Sequence, residues 1–69
     1  MTSIDFSRNL TSVRKRKKLK VANCAVAAGV SVPSWYRYES GEQFPGTAET
    51  FDKIAAAVGV KSATLLKDT

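Results

Sequence analysis

The chain has 69 residues, 43% of them apolar and 25% charged, which suits one small globular domain over 1–69 and leaves no room for a second. Its net charge is +5, with no histidine and a single cysteine, Cys24, so the commonest general base, the commonest zinc ligand and any internal disulfide are excluded. No apolar run approaches the ~18 residues of a membrane span, and Met1-Thr2-Ser3-Ile4-Asp5 lacks the basic flank and apolar stretch of a signal peptide. The expected class is an intracellular, non-enzymatic protein with no catalytic residue, metal, cofactor or small-molecule ligand and no membrane partner.

Phe6, Leu10 and Val13 fall at i, i+4 and i+7, the apolar stripe of a first helix over about 5–17, with Ser3 or Asp5 able to cap it. Val21, Cys24, Ala25 and Ala28 repeat the stripe in a short second helix over 21–28, which Gly29 stops. Buried on that stripe, Cys24 reads as a small hydrophobe. Ser31 is placed to cap a third helix, and Pro33 is tolerated in its first turn, where amides have no helical partner. Trp35, Tyr38 and Glu39 share one face of that helix; Pro33, Tyr36, Arg37 and Ser40 share the opposite face. Gly41 ends it, and Gln43-Phe44-Pro45-Gly46 reads as a turn. Thr47 caps a fourth helix whose stripe is Phe51, Ile54, Ala55 and Val58, closed by Gly59. Ser62 is a possible cap for a short last helix carrying Leu65 and Leu66, and no segment alternates like a strand. The fold class is all-α, a compact set of five short helices.

The charge is uneven. Residues 1–40 carry eight basic and two acidic side chains, residues 41–69 three basic and four acidic. A basic run alone describes a solvated helix face as well as a polyanion-binding one. It gains meaning beside a groove-reading element, and residues 21–40 have the spacing of one. Ala25 is small where two steeply crossed helices would meet, Gly29 tolerates positive φ at the turn, and Trp35 anchors the second helix on the first. Small, glycine and apolar at these intervals are what a DNA-binding helix-turn-helix requires.

Over residues 8–66 the chain resembles the lambda repressor–Cro type of helix-turn-helix domain. The resemblance is carried in order by Arg14-Lys15-Arg16-Lys17-Lys18-Leu19, Ala25-Val26-Ala27-Ala28-Gly29-Val30-Ser31, Tyr38-Glu39-Ser40-Gly41, Pro45, and Ile54-Ala55-Ala56-Ala57-Val58-Gly59-Val60 with Leu65-Leu66. Val21 stands where the family commonly has glutamine and offers only its backbone amide; Trp35 is bulkier than the usual branched aliphatic. The resemblance implies a five-helix, cytoplasmic, nucleoid-associated regulator of phage or prokaryotic type. It would bind double-stranded DNA as a homodimer, weak without DNA, on a palindromic operator.

Within that frame Arg37, exposed on the outward face of the third helix, is placed to bond guanine O6 and N7, and Tyr36 offers a hydroxyl and a ring beside it. Val32 and Pro33 occupy positions where relatives present base-contacting residues, and their available chemistry is contact with a thymine methyl. Lys17, Lys18, Lys20, the Val21 amide, Ser34 and Ser40 are candidates for phosphate contact. The resemblance implies a structural ion pair between Arg14 and Glu39, since an inward carboxylate needs a partner, and dimer contacts from Val60, Leu65 and Leu66. Two rivals stay open: a protein-interaction module on the same fold, of antitoxin or anti-repressor type, and a nonspecific cationic binder acting through residues 14–20.

Overall fold

The computed structural model describes residues 3–66, with side chains from residue 5 onward. In chain order the elements are α1 (Ser3–Arg16), α2 (Val21–Ala28), α3 (Val32–Ser40), α4 (Ala48–Ala57) and α5 (Ser62–Leu65). All regular structure among the described residues is helical, and no helix among them is long and apolar enough to cross a membrane. The five expected helices are present. α1 begins at Ser3, so Asp5 stands inside its first turn rather than capping it. α5 is capped at Lys61 without a side-chain bond, and Ser62, expected as the cap, is its first helical residue.

Amphipathic spacing decides which faces meet. Phe6, Leu10 and Val13 of α1 are buried against Trp35 and Tyr38 of α3 and Phe51, Ile54, Ala55 and Val58 of the α4 segment, with Cys24, Ala25 and Ala28 of α2 completing the core. α2 packs on both α3 and α4, while α1 packs on α3 and α5. Ala25 of α2 is 1% exposed and Trp35 of α3 is wholly buried, both in the core that α2 and α3 share. Phe6 is the aromatic hub, with its ring centroid 5.1 Å from Phe51, 5.2 Å from Phe44 and 6.4 Å from Tyr38. Phe44 thus belongs to the edge of the core, although 41% of its surface remains open.

Three helices end in the same hydrogen-bonded stop. The amides of Lys18 and Leu19 return to the carbonyls of Lys15 and Arg14, those of Gly29 and Val30 to Val26 and Ala25, and those of Gly59 and Val60 to Ala56 and Ala55. Each stop needs one left-handed residue, filled by Lys18 (φ 58°), Gly29 (φ 73°) and Gly59 (φ 74°). Glycine adopts this conformation freely; a lysine pays about 1–2 kcal/mol of steric cost.

α5 is short but pinned. The Asn9 side-chain amide donates to the Leu65 carbonyl at 2.8 Å, and the Leu65 side chain is wholly buried. This corrects the expectation that Leu65 serves a dimer contact: its side chain is consumed by the core of one chain. Val60 is half-buried against the same core, and Leu66 is half-exposed.

Candidate nucleic-acid interface

The site is built on α3, whose two faces do different work. At its start Ser31 caps the helix, its hydroxyl accepting from the Ser34 amide at 3.2 Å, and Pro33 sits in the first turn. On the inner face Trp35 is wholly buried and Tyr38 is 5% exposed. On the outer face Val32 is 38% and Tyr36 56% exposed, with Pro33 and Arg37 also open to solvent. Among the described residues the Arg37 guanidinium has no hydrogen bond or ion pair, so it is available to a ligand. The four side chains expected to read bases are thereby gathered on one surface.

α3 is fixed to the scaffold by a polar clamp inside an otherwise apolar contact. Arg14 of α1 donates through Nε to Glu39 Oε2 at 2.5 Å and through Nη2 to Oε1 at 3.0 Å. Its remaining Nη1 donates to the Leu19 carbonyl at 3.1 Å. The indole Nε1 of Trp35 donates to the same Glu39 Oε2. The two charged side chains are only 15% and 9% exposed, so a fork of this kind replaces the water both ions give up. The carboxylate raises the Arg14 pKa above its usual value, chiefly through this hydrogen bond, with burial opposing it. Cys24 lies in the core, and burial pushes its thiol pKa up, with Arg14 pulling weakly the other way. The Trp35 bond was not part of the expected pair; its signal lay in the four-residue spacing of Trp35 and Glu39, which puts both on one helix face.

The expected phosphate-contacting residues divide. Lys20 is exposed and occupies the N-cap of α2 with no side-chain capping bond, and the first turn of α2 contains no acidic residue. α2 therefore presents a first turn, beginning at half-buried Val21, whose amides no side chain caps. Lys18 is exposed in the turn just before it. Lys17 departs from expectation: its ammonium donates to the carbonyls of Val58 at 2.9 Å and Gly59 at 3.1 Å. A cation there satisfies carbonyls that the end of α4 leaves unpaired, so Lys17 is a tie between α1 and α4 rather than a free phosphate ligand. Ser34 and Ser40 are also engaged. The Ser31 hydroxyl donates to Ser34 Oγ, and Ser40 Oγ donates to the Arg37 carbonyl at 3.1 Å. Both hydroxyls are thus engaged within α3 and its cap.

A family model described as a helix-turn-helix domain matches residues 5–67. No curated protein matches the sequence. Among solved structures, the chain is similar to the restriction-modification controller protein C.AhdI from Aeromonas hydrophila. The TM-score is 0.83 at 21% identity, over 91% of this chain and 94% of that one. At that identity the likeness is one of fold. It is similar also to apo-HppE, with TM-score 0.83 and 25% identity over 94% of this chain, which spans only 36% of the other.

Proposed function

The chain belongs to the helix-turn-helix domain family, and on that footing we propose that it is a sequence-specific regulator of transcription that binds double-stranded DNA, a repressor of phage or prokaryotic type. The carrying observation is the outer face of α3, where Val32, Pro33, Tyr36 and Arg37, the last without a partner among the described residues, stand exposed on a helix locked from behind by Arg14, Trp35 and Glu39. In the proposed complex α3 enters the major groove, and Arg37 bonds guanine O6 and N7. The uncapped amino end of α2, with Lys18 and Lys20 around it, takes a phosphate. The activity is binding, with no catalytic step, cofactor or metal.

Two copies would cover a palindromic site, with half-sites about one helical turn, ~34 Å, apart. Phe44 and Leu66 line an open recess of about 400 Å³ with Pro45 and Phe51, and Val60 stands half-buried nearby in sequence. On this reading the recess and its apolar rim are where the second copy would meet the first, in a weak dimer that DNA completes.

Selection from random-sequence duplexes, followed by footprinting at two salt concentrations, tests this reading. The expected result is an enriched palindrome and a salt slope equivalent to several phosphates. Binding without sequence preference would favour a cationic binder acting through residues 14–20. No binding at all would favour a protein-interaction module.

A further inference from the structure

The helices before and after α3 present opposite amino ends. α2 begins at Lys20 with no side-chain cap and no acid in its first turn, and exposed Lys18 stands just before it. α4 begins at Thr47, whose hydroxyl accepts from the Thr50 amide at 3.2 Å, and it carries Glu49 in its first turn. The first end keeps amides and cations for an anion. The second already has a cap and adds an anion of its own.

The side chains that follow α3 extend the contrast. From Gly41 to Ala57 the charged residues are Glu42, Glu49, Asp52 and Lys53, all exposed, and Lys53 is paired with Glu49 at 3.3 Å. The one cation of that stretch is thus engaged. Glu42 lies one residue beyond Gly41, the cap of α3, and its carboxylate has no partner among the described residues. Its backbone is held in place. The Glu42 amide donates to Ser40 Oγ at 3.4 Å, and the Gln43 amide donates to the Arg37 carbonyl at 3.2 Å. The carboxyl end of a helix carries a partial negative charge, so Glu42 adds a full charge of the same sign.

α3 has nine residues, hence a length of ~13.5 Å at ~1.5 Å per residue, close to the ~12 Å width of the major groove. A helix of that length seated in the groove brings both ends toward phosphates. Resting on the DNA-binding function proposed above, we infer that the chain grips the backbone from the α2 flank alone, and that the Glu42 carboxylate repels the phosphates on the α3–α4 flank.

The test uses the intact chain with the duplex enriched by random selection and with a random-sequence duplex. Glu42→Gln is expected to bind both about threefold tighter at low salt, with the gain shrinking as salt rises. Glu42→Lys is expected to bind tighter still and to steepen the salt slope by about 0.9, as one further phosphate contact would. In a second arm, single phosphates of the selected duplex are replaced in turn by uncharged methylphosphonates. The native chain should lose affinity at linkages beside α2 and gain it at linkages on the opposite wall of the groove. In Glu42→Gln that gain should disappear.

Unchanged affinity and slope in both variants overturns the inference, as does a native chain that loses affinity at linkages on both walls. Weaker binding by Glu42→Gln overturns it too, since the carboxylate would then be accepting from a cytosine amino group. In each of these cases an enriched sequence leaves the DNA-binding function standing. If no duplex is bound at all, that function and the inference fall together.

Discussion

Arg14 and Glu39, 25 positions apart in the chain, meet as a two-pronged ion pair that Trp35 completes from within α3. This relationship converts the attachment of α3 from a sliding apolar contact into one defined seat. Removing the charge of Glu39 strands a guanidinium that is 15% exposed. Glu39→Gln is expected to cost about 3 kcal/mol in urea or thermal unfolding, at the lower end for breaking a buried pair. An unchanged melting curve would show that the pair does not hold α3.

Lys18 occupies a left-handed position where the equivalent stops of α2 and α4 have glycine. Lys18→Gly relieves the steric cost and adds chain entropy to the unfolded state, for a net stabilisation of about 0.5–1 kcal/mol. The same change removes a cation proposed to face phosphate. Affinity should therefore fall alike on specific and random duplexes, and the salt slope should decrease by about 0.9. Calorimetry and titrations at several salt concentrations on one variant measure both effects.

Lys17 and Lys20 are close in sequence but differ in employment. Lys17→Met is expected to lower stability by about 0.5–1 kcal/mol, through loss of the cation on the α4 carbonyls, and to leave the salt slope of DNA binding unchanged. Lys20→Met is expected to do the reverse. Swapped outcomes would put the Lys17 ammonium on DNA.

Arg37→Ala should cost about 1–3 kcal/mol on the selected duplex and little on random DNA, because a guanine contact discriminates whereas a phosphate contact does not. Competition titration against both duplexes separates the two. An equal loss on each would reassign Arg37 to phosphate.

The Cys24 thiol has its pKa raised by burial, so the folded chain holds that proton more tightly than the unfolded one. Its contribution to stability is complete below the ordinary thiol pKa and declines as pH rises above it, toward the higher folded value. Denaturant titrations from neutral to alkaline pH should show a steeper decline in the native sequence than in Cys24→Ala. Parallel declines would mean that the thiol proton is not held differently in the two states.

How much of this was legible in sequence depends on how local each signal is. The α2–α3 unit was readable because Gly29, Ser31, Pro33 and Gly41 mark its boundaries with residues chosen for backbone reasons. The outer face of α3 followed as the side opposite Trp35, Tyr38 and Glu39. The stop at Lys18 was not readable, since a lysine advertises nothing about φ. The Lys17 tie joins groups 41 and 42 positions apart, beyond any helical period. Leu65 and Leu66 are adjacent and equally apolar, and a four-residue helix is too short for periodicity to say which turns inward.

The latch between Asn9 and the Leu65 carbonyl makes the last helix a keystone rather than a handle. Truncating before Leu65, or giving that residue a charge, would dismantle the fold of the single chain, whatever it did to the proposed dimer. A test of the proposed two-fold assembly that spares each chain calls for a change at Leu66, whose side chain is half-exposed, rather than at Phe44, whose ring packs on Phe6.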